Sequence, residues 1–152
     1  MPDPLSFPDA TPRHGLPLLF AGQAQKEFFV NEALTRLDLL VHARIAGRAS
    51  QPPAAPQAGE SWLVDDGAVG AWAGQTDSLA GWTGSGWLFC APSAGLRVWD
   101  ISLNAFRIFT NGWNTTGAPT QPQGGTVVDA EARSALNDLV NALIEAGILL
   151  AP

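Results

Sequence analysis

Residues 59–113 consist of short apolar segments separated by glycine, and this pattern limits the fold more than any other feature of the sequence. We predict an all-β meander or a small barrel-like sheet there, with LRVWDISLNAFRIFT forming a hairpin whose turn lies near residues 102–104. The segments are rich in Trp, Phe and Val, and their lengths and turn spacing are typical of strands: ESWLVDD, AVGAWAG, GWLFCAP, LRVWDI and AFRIFTNGW.

An N-terminal helix is predicted over residues 22–47, which contain no proline and no glycine between Gly22 and Gly47. Gly47 is suited to end the helix, and Arg44 in the last turn complements the helix dipole. Apolar residues recur in this segment at the spacing of one helical face: Val30, Leu34, Leu37, Val41 and Ile45.

A C-terminal helix and tail are predicted over residues 126–152. The segment 126–129, TVVD, resembles a capping box in which Asp replaces the usual Glu. Gly147 is a suitable terminator, and the final residues, ILLAP, are apolar. One face of the helix carries an apolar stripe: Val128, Ala132, Leu136, Leu139, Leu143 and Ala146.

The remaining segments are predicted to be connections. Residues 1–21 form an extended Pro-rich arm, residues 48–58 a semi-rigid Pro/Ala linker, and residues 114–125 a flexible linker. The predicted fold class is therefore α+β, with a small Trp-rich antiparallel β module flanked by an N-terminal and a C-terminal amphipathic helix.

The apolar faces of the two helices are predicted to assemble several copies of the chain. Only 14% of the residues are charged and 46% are apolar, and a surface with so few charges is often covered by partner subunits. The alternative is a monomeric α+β domain in which both helices pack on one face of the sheet. The predicted interface comprises Val30, Leu34, Leu37, Val41, Val128, Ala132, Leu136, Leu139 and Leu143.

Charge and cysteine usage argue against several classes of partner and location. The net charge of −6 and the scattered basic residues argue against binding to nucleic acid or to an anionic membrane surface. No run of about 18 apolar residues occurs, so no membrane insertion is predicted. Cys90 is the only cysteine, and the N-terminus has no basic region before an apolar stretch, which favours synthesis in the cytoplasm without secretion.

No residue pattern predicts an active site, a metal site or a cofactor. Cys90 lies in an apolar segment and is expected to be a buried, inert thiol. His14 and His42 are far apart in the sequence and show no metal-ligand spacing.

Carboxylate pairs are the remaining candidates for catalysis, because enzymes that cleave polysaccharides use two of them. Asp65-Asp66 is the best local pair, and Asp77 and Asp100 also lie in the β module. Two aspartates before Gly67 are, however, typical of a tight turn. A glycan-degrading enzyme is therefore our third hypothesis, ranked below the two non-enzymatic roles that are described at the end of this subsection.

The six tryptophans predict either a core or a sugar-binding surface. Five of them lie between residues 62 and 99, and flat aromatic rings can stack on sugars. The alternative is that most of them fill a small core. Trp72 and Trp82 occupy the most glycine-rich part and are the candidates for exposure and glycan contact.

The sequence also resembles a domain-of-unknown-function family of alphaproteobacterial prophages and gene transfer agents. The resemblance rests on TPRHGLPLLFAGQAQKE and NEAL in residues 11–34, and it continues through the GESW, GAWAG and GW motifs as far as Trp113. The terminal segment GTVVDAEAR resembles a helix found on phage tail-fibre proteins.

The resemblance implies a structural subunit of a phage-like particle, with no enzymatic activity. The expected role is a head-spike or fibre base, or an adaptor, that takes part in attachment to the host-cell surface. A homopentamer at a capsid vertex or a homotrimer in a fibre is expected, in contact with other capsid, spike or fibre proteins. The particle would assemble in the bacterial cytoplasm and leave by lysis. The alternative is a carbohydrate-binding module that contacts capsular polysaccharide through exposed tryptophans.

Overall fold

The computed structural model describes residues 9–22, 26–125 and 129–151. Two helices and several mainly antiparallel sheets confirm the α+β class, with a helix towards each end of the chain. The chain divides into two compact units, Met1–Pro92 and Ser93–Pro152, called here the N-terminal and the C-terminal unit. None of the helices in the described ranges is long and apolar enough to cross a membrane.

The N-terminal unit combines one helix with a four-stranded sheet and one further short strand. Its elements are α1 (Lys26–Leu40), β1 (Arg44–Ile45), β2 (Arg48–Ala49), β3 (Ser61–Val64), a 3-10 turn (Gly70–Trp72), β4 (Leu79–Trp82) and β5 (Trp87–Cys90). The strand order in the sheet is β2-β3-β4-β5, where β2 and β3 are parallel and the other two pairs are antiparallel. Strand β1 runs beside β3, where the Ala46 amide donates to the Ser61 carbonyl at 2.8 Å.

The two faces of this sheet have different neighbours, because successive side chains of a strand point to opposite sides. On one face, Gly81 lies directly under Leu39 of α1, so close that a Cβ on Gly81 would be 2.9 Å from Leu39 Cδ1. On the other face, Val64 and Ala80 form a buried cluster with Trp72. The sheet is therefore covered by a helix on one side and by a tryptophan-bearing turn on the other.

The C-terminal unit is built on the predicted hairpin. Its elements are β6 (Arg97–Asp100), β7 (Ala105–Phe109), β8 (Trp113–Asn114), β9 (Thr116–Gly117), α2 (Ala130–Glu145) and β10 (Leu149–Leu150). Strands β6, β7 and β8 are antiparallel neighbours, and β10 pairs in parallel with β9.

The hairpin turn is organised by Asp100, which is completely buried. Its Oδ1 accepts hydrogen bonds from the amide and the hydroxyl of Ser102 at 2.9 and 2.6 Å, and its Oδ2 accepts one from Arg107 Nε at 2.6 Å. Asn104 completes the turn with a φ of +51°, a backbone region that Asn tolerates better than most residues. The predicted turn near residues 102–104 is confirmed.

The N-terminal helix is shorter than the predicted segment 22–47. It begins at Lys26 and ends at Leu40, and residues 44–45 already belong to a strand. The helical spacing of Val41 and Ile45 is overridden by His42, whose φ of +46° cannot continue a right-handed helix. Residues 23–25 of the predicted helix lie outside the described residues.

Other predicted boundaries also need correction. The linker 48–58 begins with β2, and the linker 114–125 contains β9. The composition of both segments is typical of turns and does not indicate these two-residue strands. The β module 59–113 is not one unit, since the boundary between the compact units follows Pro92.

The described part of the predicted segment 126–152, a helix followed by a tail, contains α2 and then β10. Helix α2 runs from Ala130 to Glu145 with Asp129 as its N-cap, whose Oδ1 accepts a hydrogen bond from the Ala132 amide at 2.8 Å. Residues 126–128 of the predicted capping box lie outside the described residues. The apolar end of the chain is strand β10, in which Leu149 is buried.

Candidate functional site

The N-terminal arm is attached to α1 at the arm junction. Thr11, Arg13 and His14 of the arm surround Asp38 of α1 there. Asp38 is only 2% exposed. Its carboxylate accepts hydrogen bonds from Thr11 Oγ1 at 2.6 Å, from the Arg13 amide at 3.0 Å and from the His14 amide at 2.7 Å. A buried charge of this kind is stable only when it is fully hydrogen-bonded, so the arm is fixed to the helix at this point.

Arg13 completes the arm junction by capping the end of α1. Its guanidinium donates to the carbonyls of Asp38, Leu39 and His42 at 2.9, 2.8 and 2.8 Å. These carbonyls are among the groups that a helix end leaves without partners, and a basic side chain can satisfy them. The TPRHG segment therefore satisfies the carbonyls that α1 leaves without partners where it ends before His42.

The apolar side chains of α1 largely face outwards. The buried residues of the helix are Asp38 and Leu39, whereas Val30, Leu37 and Val41 are exposed and Leu34 is half-buried. Phe28 and Phe29 are 77% and 79% exposed. The residues predicted as an interface thus lie at the surface of the chain and are available for contact.

Helix α2 contains no buried residue over its whole length from Ala130 to Glu145. Leu136 and Leu139 are 51% and 56% exposed, Ala132 is exposed, and Leu143 is half-buried. Val128, the remaining predicted interface residue, lies outside the described residues. An apolar stripe with exposed leucines, on a helix that has no fully buried residue, is a surface suited to another molecule.

Aromatic side chains lie on one face of the N-terminal sheet, the face that also carries the buried Trp72 cluster. The pairing of Trp82 with Trp87 and of Ala80 with both Trp62 and Phe89 places the four aromatic residues on the same face, because paired residues share a side of a sheet. All four are half-buried. The ring centroids of Trp82 and Trp87 are 5.2 Å apart. This aromatic face comprises Trp62, Trp82, Trp87 and Phe89.

The prediction that Trp72 is exposed is wrong. It is completely buried and packs edge-on against Trp87, with ring centroids 5.0 Å apart. Its glycine-rich surroundings are a 3-10 turn that folds back onto the sheet rather than an open loop. Trp82 is half-buried, so it keeps some accessible ring surface. Sequence reasoning missed Trp62 and Trp87 because only the strand register shows that they lie beside Trp82.

Asp65 and Asp100, two of the carboxylates considered for catalysis, have structural contacts. Asp65 accepts a hydrogen bond from Arg48 Nη2 at 2.6 Å and one from the Asp66 amide at 3.0 Å. Gly67 follows with a φ of +69°, which confirms the tight turn. Asp100 holds the β6–β7 hairpin, as described above. Within the described ranges, no group of three or more His, Cys, Asp or Glu side chains is arranged to hold a metal ion.

Cys90 is buried, as predicted. Burial raises the pKa of its thiol, and the nearby Arg36 guanidinium, with Nη1 3.7 Å from Sγ, opposes that shift. Because the thiolate is the reactive form, a thiol with a raised pKa is a weak nucleophile at neutral pH. The expectation of an inert thiol agrees with this environment.

Comparison with known proteins assigns the chain to a family. No curated protein matches it. A family model described as Protein of unknown function (DUF2793) matches residues 30–114, which is more than half of the chain. The matched region contains most of α1, the whole N-terminal sheet and the β6–β7 hairpin, whereas the arm and α2 lie outside it. On this evidence the chain belongs to the family described as Protein of unknown function (DUF2793).

Proposed function

We propose that the protein is a non-enzymatic structural subunit of a phage-like particle, such as a gene transfer agent, in which several copies associate through α2. The proposed place is the base of a head spike or fibre, or an adaptor, that takes part in attachment to the host cell. Two resemblances support membership of such a particle. The TPRHGLPLLFAGQAQKE segment resembles a family of prophages and gene transfer agents, and GTVVDAEAR resembles a helix of phage tail-fibre proteins. The structural support is the exposed apolar stripe of α2.

The spacing of that stripe favours another helix as its occupant. Ala132, Leu136, Leu139, Leu143 and Ala146 follow steps of 4, 3, 4 and 3, which is the heptad pattern of helices that pack side by side. The flanking positions add further small or apolar side chains: Ala135, Val140 and Ala142. This wider apolar face is typical of a bundle of several helices rather than the narrow seam of a two-stranded coil.

Association would remove an energetic cost that the single chain carries. Full burial of a leucine side chain contributes roughly 1.5–3 kcal/mol relative to leaving it exposed. Leu136 and Leu139 are each about half exposed, so each retains a substantial part of that free energy for contact with another copy. Identical helices in a symmetric assembly would bury the same side chains in every copy.

The test is the mass of the protein in solution, measured by light scattering on the full-length chain. We expect a defined oligomer, and five or three copies would distinguish a vertex base from a fibre. A chain that is cut after Gly124 is a poor probe, because it also loses β10 and the buried Leu149. Point substitutions on α2 are therefore preferable.

The test variant is Leu136→Ser with Leu139→Ser, and it is expected to shift the mass to that of a single chain. The matched control is Asp138→Ser with Asn141→Ser, which changes two exposed polar residues of the same helix. A monomer in the unmodified protein at micromolar concentration, or equal oligomers in both variants, would contradict assembly through α2.

A second candidate function is carbohydrate binding through the aromatic face. The observation that favours it is four half-buried aromatic side chains on one face of a single sheet. We expect oligosaccharides from capsular polysaccharide to change tryptophan fluorescence, and Trp82→Ala to reduce that change. Phe106→Ala, which removes an exposed aromatic ring from the C-terminal unit, is the control. No binding at millimolar oligosaccharide would leave only the structural role.

The proposed role requires no catalysis. Asp65→Asn with Asp66→Asn is expected to leave capsular polysaccharide intact to the same degree as the unmodified protein. If the unmodified protein shortened the polysaccharide and this variant did not, the third hypothesis of a glycan-degrading enzyme would replace the structural one.

A further inference from the structure

A cluster of basic and histidine side chains lies in the N-terminal unit at the arm junction, and none of its members belongs to the aromatic face. Arg13, His14, His42 and Arg44 line one open depression of about 300 Å³ in the N-terminal unit. The whole chain has eight Lys and Arg residues and two His residues, so this depression collects both histidines and two of the eight basic residues. In a chain of net charge −6, such a concentration creates a local positive region.

Two of the four side chains have unused hydrogen-bond donors. The side chains of Arg44 and His42 are exposed and make no hydrogen bond or ion pair with any described residue. His14 is held by its Nε2, which lies 3.0 Å from the carbonyl of Val41. Arg13 is fixed by the three carbonyls that it caps.

The two guanidinium groups repel each other. Burial lowers the pKa of Arg13 most, and the charge of Arg44 lowers it further, whereas Asp38 raises it. Asp38 is the nearby carboxylate, but both of its oxygens already accept hydrogen bonds within the arm junction. Among the residues that the structure describes, no carboxylate lines the depression itself. An anion placed between the two arginines would relieve this repulsion. It would also accept hydrogen bonds from N–H donors that are otherwise unused.

The backbone holds the cluster in a fixed arrangement. His42 has a φ of +46°, and its carbonyl is bonded to Arg13. Arg44 follows two residues later in β1. Because Arg13 and the chain around His42 are already ordered, an anion would bind without the cost of ordering the backbone.

We propose that this depression binds a discrete oxyanion, namely the carboxylate, sulfate or phosphate group of a small ion or of a substituted sugar. Guanidinium groups match the planar or tetrahedral oxygen arrangement of such groups. A nucleic acid does not fit, because the four residues form one compact cluster and the net negative charge repels an extended polyanion.

Histidine resonances provide a direct readout, because both histidines of the chain line the depression. We expect titration of the ¹⁵N-labelled full-length protein with inorganic sulfate or phosphate, at constant ionic strength, to give saturable shifts of both imidazole signals. Sodium chloride serves as the reference for screening alone. Absence of a saturable shift up to about 50 mM, far above a millimolar dissociation constant, would overturn the proposal.

Arg44→Gln is expected to weaken the binding by about 10-fold or more, because it removes a charge-assisted hydrogen-bond donor. Arg97→Gln is the matched control, since Arg97 is an exposed arginine of the C-terminal unit. Equal affinities in the two variants would overturn the site. His42→Asn provides a second variant, because Asn tolerates a positive φ and so preserves the turn while removing the imidazole.

The source of the oxyanion is tested with glucuronate and glucose 6-sulfate, with glucose as the uncharged control. Tighter binding of the charged sugars than of the inorganic ions would identify a sugar-borne group. Equal binding would identify the free ion. Binding of glucose as tight as that of the charged sugars would overturn the oxyanion site.

Discussion

The two helices of this protein present apolar side chains to solvent, yet they are held in very different ways. Helix α1 is attached along its C-terminal half by Asp38 in the arm junction, by Leu39 on Gly81, and by Arg36, which donates to the Phe89 carbonyl at 3.1 Å. Helix α2 buries no side chain completely: Arg133 in its first turn donates to the Pro122 carbonyl at 3.3 Å, and the chain is attached again just after the helix ends. There Gly147 accepts a hydrogen bond from the Phe106 amide at 2.8 Å, and β10 pairs with β9.

The two helices therefore differ in how much their side chains contribute to the fold of their own unit. Removing a contact of α1 affects the fold of the N-terminal unit, because those contacts are internal. Removing an exposed apolar side chain of α2, such as Leu136 or Leu139, is expected to affect its own unit little, because these side chains are 51% and 56% exposed. The predictions below test whether α1 and α2 differ in this way. All free energies refer to unfolding at a protein concentration low enough to keep the chain monomeric.

The largest effect is expected for Asp38→Ala. It leaves the Thr11 hydroxyl and the amides of Arg13 and His14 without their buried acceptor, and each such group costs about 1–3 kcal/mol. We expect a loss of about 4 kcal/mol, measured by urea unfolding followed through tryptophan fluorescence. Asp138→Ala, at an exposed position on α2, is the control and should change stability by less than about 0.5 kcal/mol. Similar losses in both variants would remove the distinction between the helices.

Leu39→Ala and Leu139→Ala form a matched pair. Leu39 is 4% exposed on the sheet side of α1, so its truncation leaves a cavity and is expected to cost about 3 kcal/mol. Leu139 is 56% exposed, so its truncation is expected to cost less than about 0.5 kcal/mol. The same urea titration measures both. A costly Leu139→Ala in the monomer would show that α2 packs within its own chain.

Gly147→Ala tests the attachment of α2 at its end. Gly147 has a φ of +68°, and a Cβ there would overlap the Trp99 ring. A backbone strained by an L side chain and an overpacked ring together are expected to cost about 2 kcal/mol. Thermal unfolding followed by near-ultraviolet circular dichroism reports on Trp99. Gly112→Ala, which meets open space and has no positive φ, should be nearly neutral.

Gly81→Ala is expected to have the smallest effect, about 1 kcal/mol. The new Cβ would lie 2.9 Å from Leu39 Cδ1, but that atom is the end of a flexible side chain and can move. The control in the same unit is Gly86→Ala, where nothing lies within 4 Å. A loss in the control as large as in Gly81→Ala would show that the closeness of α1 to the sheet has no energetic role.

The sequence was sufficient for the features that depend on local spacing. The α+β class, the β6–β7 hairpin and the turn at Gly67 follow from apolar segments punctuated by glycine, aspartate and asparagine. The start of α2 was anticipated in part, because Asp129 is a strong N-cap residue wherever it precedes a helix.

Features that depend on distant residues were not predictable in this way. The end of α1 is capped by Arg13, which lies 25 residues before Asp38 in the sequence. The buried face of α1 contains Asp38, and an apolar pattern does not indicate a buried aspartate. Trp72 looked exposed because its glycine neighbours resemble a loop, and only the fold of the turn onto the sheet shows that it is buried.

The arm junction also determines how the chain carries mechanical load. A pull on the chain on the N-terminal side of Thr11 would reach the hydrogen bonds around Asp38 and Arg13 before it reached any strand of the sheet. Because these bonds connect the arm to the C-terminal end of α1, the force would pass into the helix and its packing on β4 and β5. The arm junction is therefore the attachment that such a pull would load ahead of the pairing of strands β2 to β5.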